Sequence, residues 1–367
     1  MKVRAAVCRA VGGPLEITNV HLRAPGPGEV LVRIDATGVC ASDLHVIDGT
    51  LPKPMPIVPG HEAAGRVAEL GAGVDDLEVG DHVVLTILPW CGRCGPCRAG
   101  RRRACAWAAE LAAEGTLGAG RTALTVGGAP LHHFTGVSSW AEYAVVPRTG
   151  AVRITRDLPM VQAALLGCAV STGFGAVRGA AGVGPGQSVA VIGCGGVGLN
   201  VIQAARLAGA APLIAVDRNP GALELARELG ATHTLRADAG VPADALIRDV
   251  APAGVAHVFE VLGRPETVEA AWRATAAGGQ TTVVGLLPVG AKVTLDGFAL
   301  ISEKRLVGTY LGGVEPERDI PVLAAAAAAG EVVLAPLIHE IALEDLPAAA
   351  ERLRAGKVTA RQVVRMG

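Results

Sequence analysis

The feature that most constrains the fold is the stretch "VAVIGCGGVGLNVIQAARLAG", where an apolar strand pattern, a glycine turn and a helical pattern follow one another directly. Gly193, Gly195 and Gly198 have G-x-G-x-x-G spacing. The first glycine allows a tight turn, the second lets a ligand approach the backbone, and the third lets the helix pack closely on the strand. The helix N-terminus stabilises a negative charge. The pattern predicts a dinucleotide-binding turn, formed by Gly193, Gly195, Gly196, Val197 and Gly198.

The end of the next apolar run, "PLIAVD", indicates which dinucleotide this turn would bind. The carboxylate of Asp217 would accept hydrogen bonds from both adenosine ribose hydroxyls and would repel a 2′-phosphate. The neighbouring Arg218 could instead stack on adenine or attract that phosphate. We therefore expect NAD rather than NADP. The alternative is a glycine turn with a purely structural role.

Apolar patterning divides the 367-residue chain into two regions, and this length suits two domains. About the first 155 residues hold short alternating runs such as "EVLVRIDATGVC" and "GDHVVLTIL", which predict a mostly β lobe. From about Leu158 strands alternate with helices, which predicts a doubly wound parallel sheet. Its last strand is expected over residues 305–313, and further helices near residues 322–329 and 346–355.

Charge and composition argue against several kinds of partner. The chain has 33 basic and 34 acidic residues, so we expect neither nucleic acid nor a membrane surface as a partner. The one dense basic run, residues 101–103, is expected to be solvated. The long uncharged stretch from Leu158 contains Pro159 and Gln162, which favours a buried core helix over a membrane span. No secretion signal is visible, so we expect a cytoplasmic protein.

Half of the eight cysteines lie in one stretch, "CGRCGPCRAGRRRAC", between Cys91 and Cys105. Thiols at this density form disulfides, a redox centre or a metal site. Disulfides are rare in the cytoplasm, where clustered thiols more often bind metal. Further candidate metal ligands are scattered: Cys40 in "GVCASDLH", His61 in "PGHEAAG" and Cys168 in "LLGCAVSTG". Cysteine and imidazole suit zinc, and three protein ligands would leave one position open.

In chain order these motifs resemble those of the zinc-dependent medium-chain alcohol dehydrogenases, from about Lys2 to the C-terminus. The matching motifs are "GVCASDLH", "PGHEAAGRV", the C-x2-C-x2-C-x7-C stretch, "GCAVSTGFGA", "GCGGVG" and "VD". The resemblance implies an α/β protein with a Rossmann doubly wound parallel sheet domain and a GroES-like, mostly β catalytic domain. We expect the catalytic domain at residues 1–169 with a lobe at 91–105, the NAD-binding domain at 170–310, and a C-terminal return at 311–367.

The resemblance also implies two zinc ions per chain. The catalytic zinc would be held by Cys40, His61 and Cys168. A structural zinc would be held by the four thiolates of the lobe, which leave no open position: Cys91, Cys94, Cys97 and Cys105.

The same resemblance implies roles for residues around the catalytic zinc. A zinc-bound alkoxide would give its hydride to NAD, and Ser42 and His45 would relay the proton to solvent. Asp43 would orient the histidine ligand, and Glu62 would lie close behind the metal. Thr172 and Arg361 would join the cofactor site, Arg361 by holding the phosphates.

Some positions depart from the family's common pattern. Ala41 replaces a residue that often contacts the pyrophosphate, and Ile87 replaces an aromatic pocket residue. The predicted pocket is aliphatic and roomy, lined by Leu51, Ile87, Leu111, Phe134 and Leu286. The thiol-adduct formaldehyde dehydrogenases of this family carry an arginine just after the lobe, whereas this chain has "AWAAELAAEG" there.

The main hypothesis is therefore an NAD-dependent zinc alcohol dehydrogenase for primary or secondary alcohols and their aldehydes or ketones. The alternatives are a thiol-adduct formaldehyde dehydrogenase, a nicotinoprotein that keeps NAD bound, and a zinc-ribbon binding module without activity. The expected edge strand at residues 305–313 offers unpaired backbone groups to a second chain. Members of the resembled family pair through this strand into dimers that can pair again into tetramers, so the resemblance implies a homodimer or homotetramer.

Overall fold

The computed structural model describes residues 1–238 and 240–367. The strands are β1 (Lys2–Cys8), β2 (Leu15–Leu22), β3 (Glu29–Gly38), β4 (Ile57–Val58), β5 (Ala63–Leu70), β6 (His82–Leu85), β7 (Leu124–Val126), β8 (Ala129–His133), β9 (Tyr143–Pro147), β10 (Ala151–Arg153), β11 (Val189–Ile192), β12 (Leu213–Asp217), β13 (His233–Arg236), β14 (Val255–Glu260), β15 (Thr275–Val283), β16 (Arg305–Gly308), β17 (Ile338–Ile341) and β18 (Arg361–Arg365). The helices are α1 (Ala41–Ile47), α2 (Gly95–Arg98), α3 (Ala106–Glu114), α4 (Met160–Ala163), α5 (Ala169–Gly175), α6 (Gly196–Leu207), α7 (Pro220–Glu228), α8 (Ala243–Val250), α9 (Pro265–Ala274), α10 (Pro316–Ala328) and α11 (Leu346–Arg354).

The chain forms two compact units, one of Met1–Cys168 with Glu315–Gly367 and one of Ala169–Val314. The first unit is mostly β. One closed barrel runs β1-β2-β7-β8-β4, and a second sheet runs β10-β6-β5-β3-β18-β17, with β9 also paired to β3. Alternating apolar residues of these strands fill the interior, where Trp140 and Phe134 are among the largest fully buried side chains.

Strand register in the first unit brings distant parts of the sequence together. β3 pairs antiparallel with β5, with Thr37 opposite Ala63, so the residues just after β3 lie beside those just before β5. β18 pairs antiparallel with the same end of β3, with Val363 opposite Gly38. One corner of the sheet therefore collects the segments at residues 38–40, 60–62 and 361–363.

The second unit holds the parallel sheet, in the order β13-β12-β11-β14-β15-β16. Every residue of β11 is buried, as expected for a parallel strand covered on both faces. The strand order reverses between β11 and β14, and ligands bind at such a switch point, beyond the carboxyl ends of the strands. The expected parallel sheet is confirmed.

Two details differ from the sequence-based expectations. The edge strand β16 ends at Gly308, and it could not extend to Gly313 because Leu311, Gly312 and Gly313 have positive φ angles that a strand does not accept. The expected core helix from Leu158 is broken at Cys168, whose φ of −144° interrupts the helical backbone.

The apolar segments on either side of this break are the only part of the described chain that passes a length and hydropathy test for a membrane span. They do so as a pair bent by 53°. Within the described residues no single helix is long and apolar enough to span a membrane.

Candidate active site and metal centres

Cys40 and His61 meet at the sheet corner because of the pairing between β3 and β5. Cys40 is buried and immediately precedes α1. Asp43, in the first turn of α1, is fully buried and accepts hydrogen bonds from the Cys40 N–H at 3.1 Å and the Gly60 N–H at 2.9 Å. Its Oδ1 lies 2.9 Å from Nδ1 of His61. A carboxylate only accepts, so Nδ1 carries the proton and Nε2 is left as a metal ligand.

Cys168 completes this cluster. It follows the turn Ala164–Gly167, which packs so tightly that a Cβ on Gly167 would lie 2.7 Å from the Leu85 carbonyl oxygen. The ligand atoms of Cys40, His61 and Cys168 all lie within 4.8 Å of one another, and all three residues are buried. Two thiolates and one imidazole nitrogen fit zinc, and three protein ligands leave one tetrahedral position for water or substrate.

Electrostatics in this cluster favour a cation. A hydrogen bond from Cys168 lowers the pKa of the Cys40 thiol well below its usual range, and the same bond raises the pKa of Cys168 well above it. Burial disfavours the charged form of His61, but the carboxylate of Asp43 overcomes this and raises the pKa of the imidazole. Cys40 therefore forms its thiolate readily, whereas Cys168 and His61 must release protons when a divalent cation binds.

The four lobe thiols form a second, closed cluster. The sulfur atoms of Cys91, Cys94, Cys97 and Cys105 lie within 4.8 Å of one another. The Sγ atoms of Cys94 and Cys105 are 3.9 Å apart, close to the ~3.8 Å expected for two thiolates on one tetrahedral zinc. Hydrogen bonds from the N–H groups of Cys97 and Ala106 lower the pKa of Cys94 to about 6, which favours its thiolate form. The site has the donor set of a structural zinc.

The arginines between the lobe cysteines are exposed, as expected, but they also anchor the lobe. The guanidinium of Arg102 stacks over Trp90 at 3.9 Å and pairs with Glu317 at 2.8 Å. Arg103 pairs with Glu315 at 3.1 Å. These contacts tie the lobe to the start of α10.

Ser42 and His45, the predicted proton relay, both lie on α1. Ser42 is partly exposed, and its Oγ lies 3.9 Å from Sγ of Cys40. Nδ1 of His45 is buried and has no hydrogen-bond partner within the described part of the chain. A buried polar atom without a partner is costly, and a ligand hydroxyl would satisfy it. The relay stays a prediction.

Arg361 and Glu62 form a buried ion pair beside Cys40. Glu62 is fully buried and Arg361 is 8% exposed. Nε of Arg361 lies 3.1 Å from Oε2 of Glu62, Nη1 donates to the Val39 carbonyl oxygen at 3.3 Å, and Nη2 lies 3.6 Å from Sγ of Cys40. Burial opposes the charge on Arg361, but the Glu62 carboxylate outweighs it and raises the arginine pKa. The predicted contact of Arg361 with cofactor phosphates stays a prediction.

Among the predicted pocket residues, Phe134 contacts a metal ligand directly. Its ring packs edge-to-face on His61, with centroids 5.2 Å apart. Leu51 packs against the same core cluster as Phe134, and Leu111 is buried. Ile87 packs against a different core cluster, while Leu286 is 39% exposed in the second unit. Their shared role as a pocket stays a prediction.

The predicted dinucleotide turn has the geometry that its glycines imply. Gly193 has a φ of +98°, and a Cβ on Gly198 would lie 1.9 Å from the Gly193 carbonyl oxygen. A Cβ on Gly195 would meet no protein atom within 4 Å, so the space beside this residue is open. Gly196 and Val197 form the first turn of α6.

Asp217 ends β12 beside this turn. Its Oδ2 accepts a hydrogen bond from the Cys194 N–H at 2.6 Å, and its Oδ1 accepts one from Asn219 at 2.8 Å. Arg218 is exposed. Thr172 is buried in α5, which packs so closely on α6 that a Cβ on Gly173 would lie 2.7 Å from Cβ of Asn200. The cofactor roles of these residues stay predictions.

One candidate residue near the dinucleotide turn was not predicted from the sequence. Glu260 is fully buried at the end of β14, opposite Ile192 in register. Its Oε1 accepts hydrogen bonds from the Leu262 and Gly263 N–H groups and from the Thr267 hydroxyl. Burial raises the pKa of this carboxyl above its usual value. The only sequence signal was an acidic residue at the end of the apolar run "HVFE".

Comparison with known proteins agrees with this geometry. Residues 26–156 match the family model of the alcohol dehydrogenase GroES-like domain, and residues 196–329 match that of the zinc-binding dehydrogenases. The S-(hydroxymethyl)glutathione dehydrogenase of Synechocystis sp. is 37% identical over 361 residues, which cover 97% of this chain and 98% of that protein.

Solved structures show the same fold over the full length. Benzyl alcohol dehydrogenase from Acinetobacter calcoaceticus is 33% identical with a TM-score of 0.93, and all of both chains is covered. A zinc-binding dehydrogenase from Sinorhizobium meliloti 1021, in a crystal structure with NADP bound, is 29% identical with a TM-score of 0.80 and the same full coverage.

Fold, metal clusters and relatives together define a zinc-containing oxidoreductase of the alcohol dehydrogenase type. The chain belongs to the zinc-dependent medium-chain alcohol dehydrogenase family. The predicted family, the predicted fold class and the expectation of two zinc sites are confirmed.

Proposed function

We propose that this alcohol dehydrogenase interconverts small primary or secondary alcohols with their aldehydes or ketones by hydride transfer to and from NAD(H). The observation that carries the proposal is the buried cluster of Cys40, His61 and Cys168, whose ligand atoms lie within 4.8 Å of one another and leave one coordination position open. Zinc bound there supplies a Lewis acid that lowers the pKa of a coordinated alcohol.

The residues around the cluster have separable tasks. Asp43 keeps the proton of His61 on Nδ1, so that Nε2 faces the metal site. Phe134 packs on the His61 ring and keeps water from that side. Ser42 and His45 carry the proton of the alcohol away along α1. Nδ1 of His45, which has no hydrogen-bond partner among the described residues, receives it through a hydroxyl group of the bound ligand.

A panel of alcohols and aldehydes, assayed by NADH or NADPH absorbance, tests this function. We expect turnover of neutral alcohols with NAD and a matching reverse reaction with the aldehyde or ketone. A protein that contains two zinc ions per chain, binds NADH and oxidises none of the alcohols would contradict the proposal. NAD that survives gel filtration in stoichiometric amount would indicate the nicotinoprotein alternative.

A second candidate function is oxidation of a thiol–formaldehyde adduct. It is favoured by the full-length likeness to S-(hydroxymethyl)glutathione dehydrogenase. Against it, the helix after the lobe, Ala106–Glu114, contains Glu110 and Glu114 and no arginine for a substrate carboxylate. Parallel assays with benzyl alcohol and with formaldehyde plus glutathione separate the two. A kcat/KM higher for the adduct would make this second function the correct one.

NAD is proposed as the cofactor because Asp217 places a carboxylate beside the glycine turn. The NADP bound in the Sinorhizobium structure belongs to a protein 29% identical, so the choice needs its own test. The ratio of kcat/KM for NAD and NADP measures it directly, and a preference for NADP would assign Arg218 to the 2′-phosphate.

We also propose a homodimer built on the edge of the parallel sheet. β16 is an edge strand, and the neighbouring turn Gly297–Ser302 exposes Phe298 at 78% and Ile301 at 75%. Exposed apolar side chains next to unpaired backbone groups favour pairing with a second copy. Light scattering should give about twice the 37.0 kDa of one chain, or four times if dimers pair.

A matched pair of variants tests the dimer surface. Ile301→Glu should shift the mass toward one chain, because a buried unpaired carboxylate is costly at an interface. Val79→Glu places the same charge at a site that is 66% exposed in the first unit, and should leave the mass unchanged. A dimer that survives Ile301→Glu unaltered would exclude this surface.

We further propose a cytoplasmic location, since all eight cysteines are free thiols.

A further inference from the structure

A buried segment beside the metal cluster, "FTGVSS" at residues 134–139, holds its backbone in a costly conformation. Thr135 has a φ of +52° and Ser138 a φ of +57°, in the left-handed region that favours glycine. Both residues are buried, Ser138 completely. Strained backbone of this kind persists only where surrounding contacts hold it, and it occurs most often at functional sites. The contacts of Ser138 show what this segment holds in place.

The hydroxyl of Ser138 joins two segments that both reach His61. It donates to the carbonyl oxygen of Val58 at 2.8 Å and accepts a hydrogen bond from the Phe134 N–H at 3.0 Å. Val58 ends β4, three residues before His61. Phe134 packs edge-to-face on the imidazole of His61. One hydroxyl therefore links the backbone that carries the imidazole to the ring that packs on it.

The two residues after the serine extend this link towards the metal ligand. The Trp140 N–H donates to the carbonyl oxygen of Pro59 at 3.1 Å, and the Ser139 N–H donates to that of Gly60 at 3.0 Å. The fit is close, since a Cβ on Gly60 would lie 2.5 Å from the Trp140 backbone nitrogen. Three consecutive carbonyl groups before the histidine are therefore bound by three consecutive residues of the other segment.

The imidazole itself is held by Asp43, whose Oδ1 lies 2.9 Å from Nδ1. A ring can still tilt about one hydrogen bond, so its direction also depends on the backbone below it and on the ring that packs against it. We propose that Ser138 is a positioning residue, which fixes the backbone before His61 and the ring of Phe134 so that Nε2 stays directed at the metal site. This role rests on the metal site of the proposed function.

Cobalt affinity tests this role without turnover. Cobalt(II) bound by four thiolates and cobalt(II) bound by two thiolates and an imidazole absorb at different visible wavelengths. A chelator titration therefore follows the lobe and the catalytic cluster separately in one protein. Ser138→Ala removes the hydroxyl that joins Val58 to Phe134, and should weaken cobalt binding at the catalytic cluster about 10-fold. The lobe site is the internal reference and should keep its affinity.

Two further variants separate the hydroxyl from the backbone strain. Ser138→Gly loses the hydroxyl but relieves the left-handed backbone, and should weaken the catalytic cluster as Ser138→Ala does. It also carries the test if Ser138→Ala does not fold. Thr135→Gly is the matched control, because it relieves the same kind of strain and loses a hydroxyl that donates to the carbonyl oxygen of the adjacent Phe134 at 2.8 Å. It should bind cobalt like the wild type at both sites.

Three results would overturn the role of Ser138. They are unchanged cobalt affinity of the catalytic cluster in either folded Ser138 variant, equal weakening at the lobe and at the cluster, and the same loss in Thr135→Gly. The second would mean a general loosening of the fold, and the third would mean that the hydroxyl of Ser138 has no special part. Because no alcohol is turned over, a wild type inactive on every alcohol would contradict the proposed function and leave this measurement valid.

Discussion

Two glycines of the dinucleotide turn should respond to the same substitution in opposite ways. A Cβ on Gly198 would lie 1.9 Å from the Gly193 carbonyl oxygen, about 1.5 Å short of ordinary van der Waals contact, and the backbone fixes the positions of both atoms. A Cβ on Gly195 would meet no protein atom within 4 Å, and its φ of −77° suits alanine. Gly198 therefore serves the packing of α6 on β11, and we expect Gly195 to serve the approach of the ligand.

Gly198→Ala should cost about 1–3 kcal/mol of stability, the usual price of forced overpacking. For a unit of this size that is about 2–4 °C in Tm per kcal/mol. Gly195→Ala should change the stability of the free protein by less than about 0.5 kcal/mol, yet weaken NADH at least ~10-fold, or about 1.4 kcal/mol, by holding the pyrophosphate off the backbone.

Thermal melts without ligand and fluorescence titration with NADH separate the two effects. The reasoning is refuted if Gly195→Ala binds NADH like the wild type, or if Gly198→Ala melts at the wild-type temperature. If Gly195→Ala melts below the wild type in the absence of ligand, the added methyl group must contact protein atoms, and the reasoning is also refuted.

Three further predictions use metal content, cofactor choice and pH. Cys168→Ala should keep its Tm, while its zinc content falls from about two ions per chain to about one and turnover is lost. Cys97→Ala should lose stability together with its zinc. Native activity in Cys168→Ala, or a native Tm in Cys97→Ala, would contradict these assignments. Asp217→Asn keeps an acceptor for the Cys194 N–H but removes the charge. The ratio of kcat/KM for NADP to that for NAD should therefore rise about 10-fold. An unchanged ratio would mean that the carboxylate does not select the cofactor. Burial opposes the charge of Glu29, but hydrogen bonds from Arg23 and the Gly26 N–H lower its pKa below the ordinary 4.5. The contribution of Glu29 to the stability of the fold is therefore complete above pH 4.5 and is lost as the pH falls through the lowered pKa. Glu29→Gln should therefore cost about 1–3 kcal/mol in urea unfolding at pH 7 and progressively less under acid, while Glu16→Gln, in an exposed pair with Arg9, should cost at most ~0.5 kcal/mol at either pH.

Local patterns in the sequence were enough for the glycine turn, because its conformation depends on residues within one strand, one turn and one helix. Gly193 and Gly198 lie five positions apart and touch each other in the fold. The lobe cysteines were equally accessible, since all four lie within 15 residues. The scattered ligands Cys40, His61 and Cys168 were individually weak signals and became a set only through the order of the family's motifs.

Contacts that depend on strand register could not be predicted from spacing. The resemblance assigns Arg361 to cofactor phosphates, and this stays a prediction. Spacing gave no sign that β18 adds to β3 in a register that places its guanidinium beside Glu62 and Cys40. The same limit applies to Arg102 and Arg103, whose acidic partners follow more than 200 residues later. For all three arginines, the partner depends on how elements far apart in the sequence pack together. A sheet corner that joins three distant segments brings the metal ligand Cys40, the carboxylate of Glu62 and its counter-charge together, so the tuning of this metal site depends on the sheet as much as on the ligands themselves.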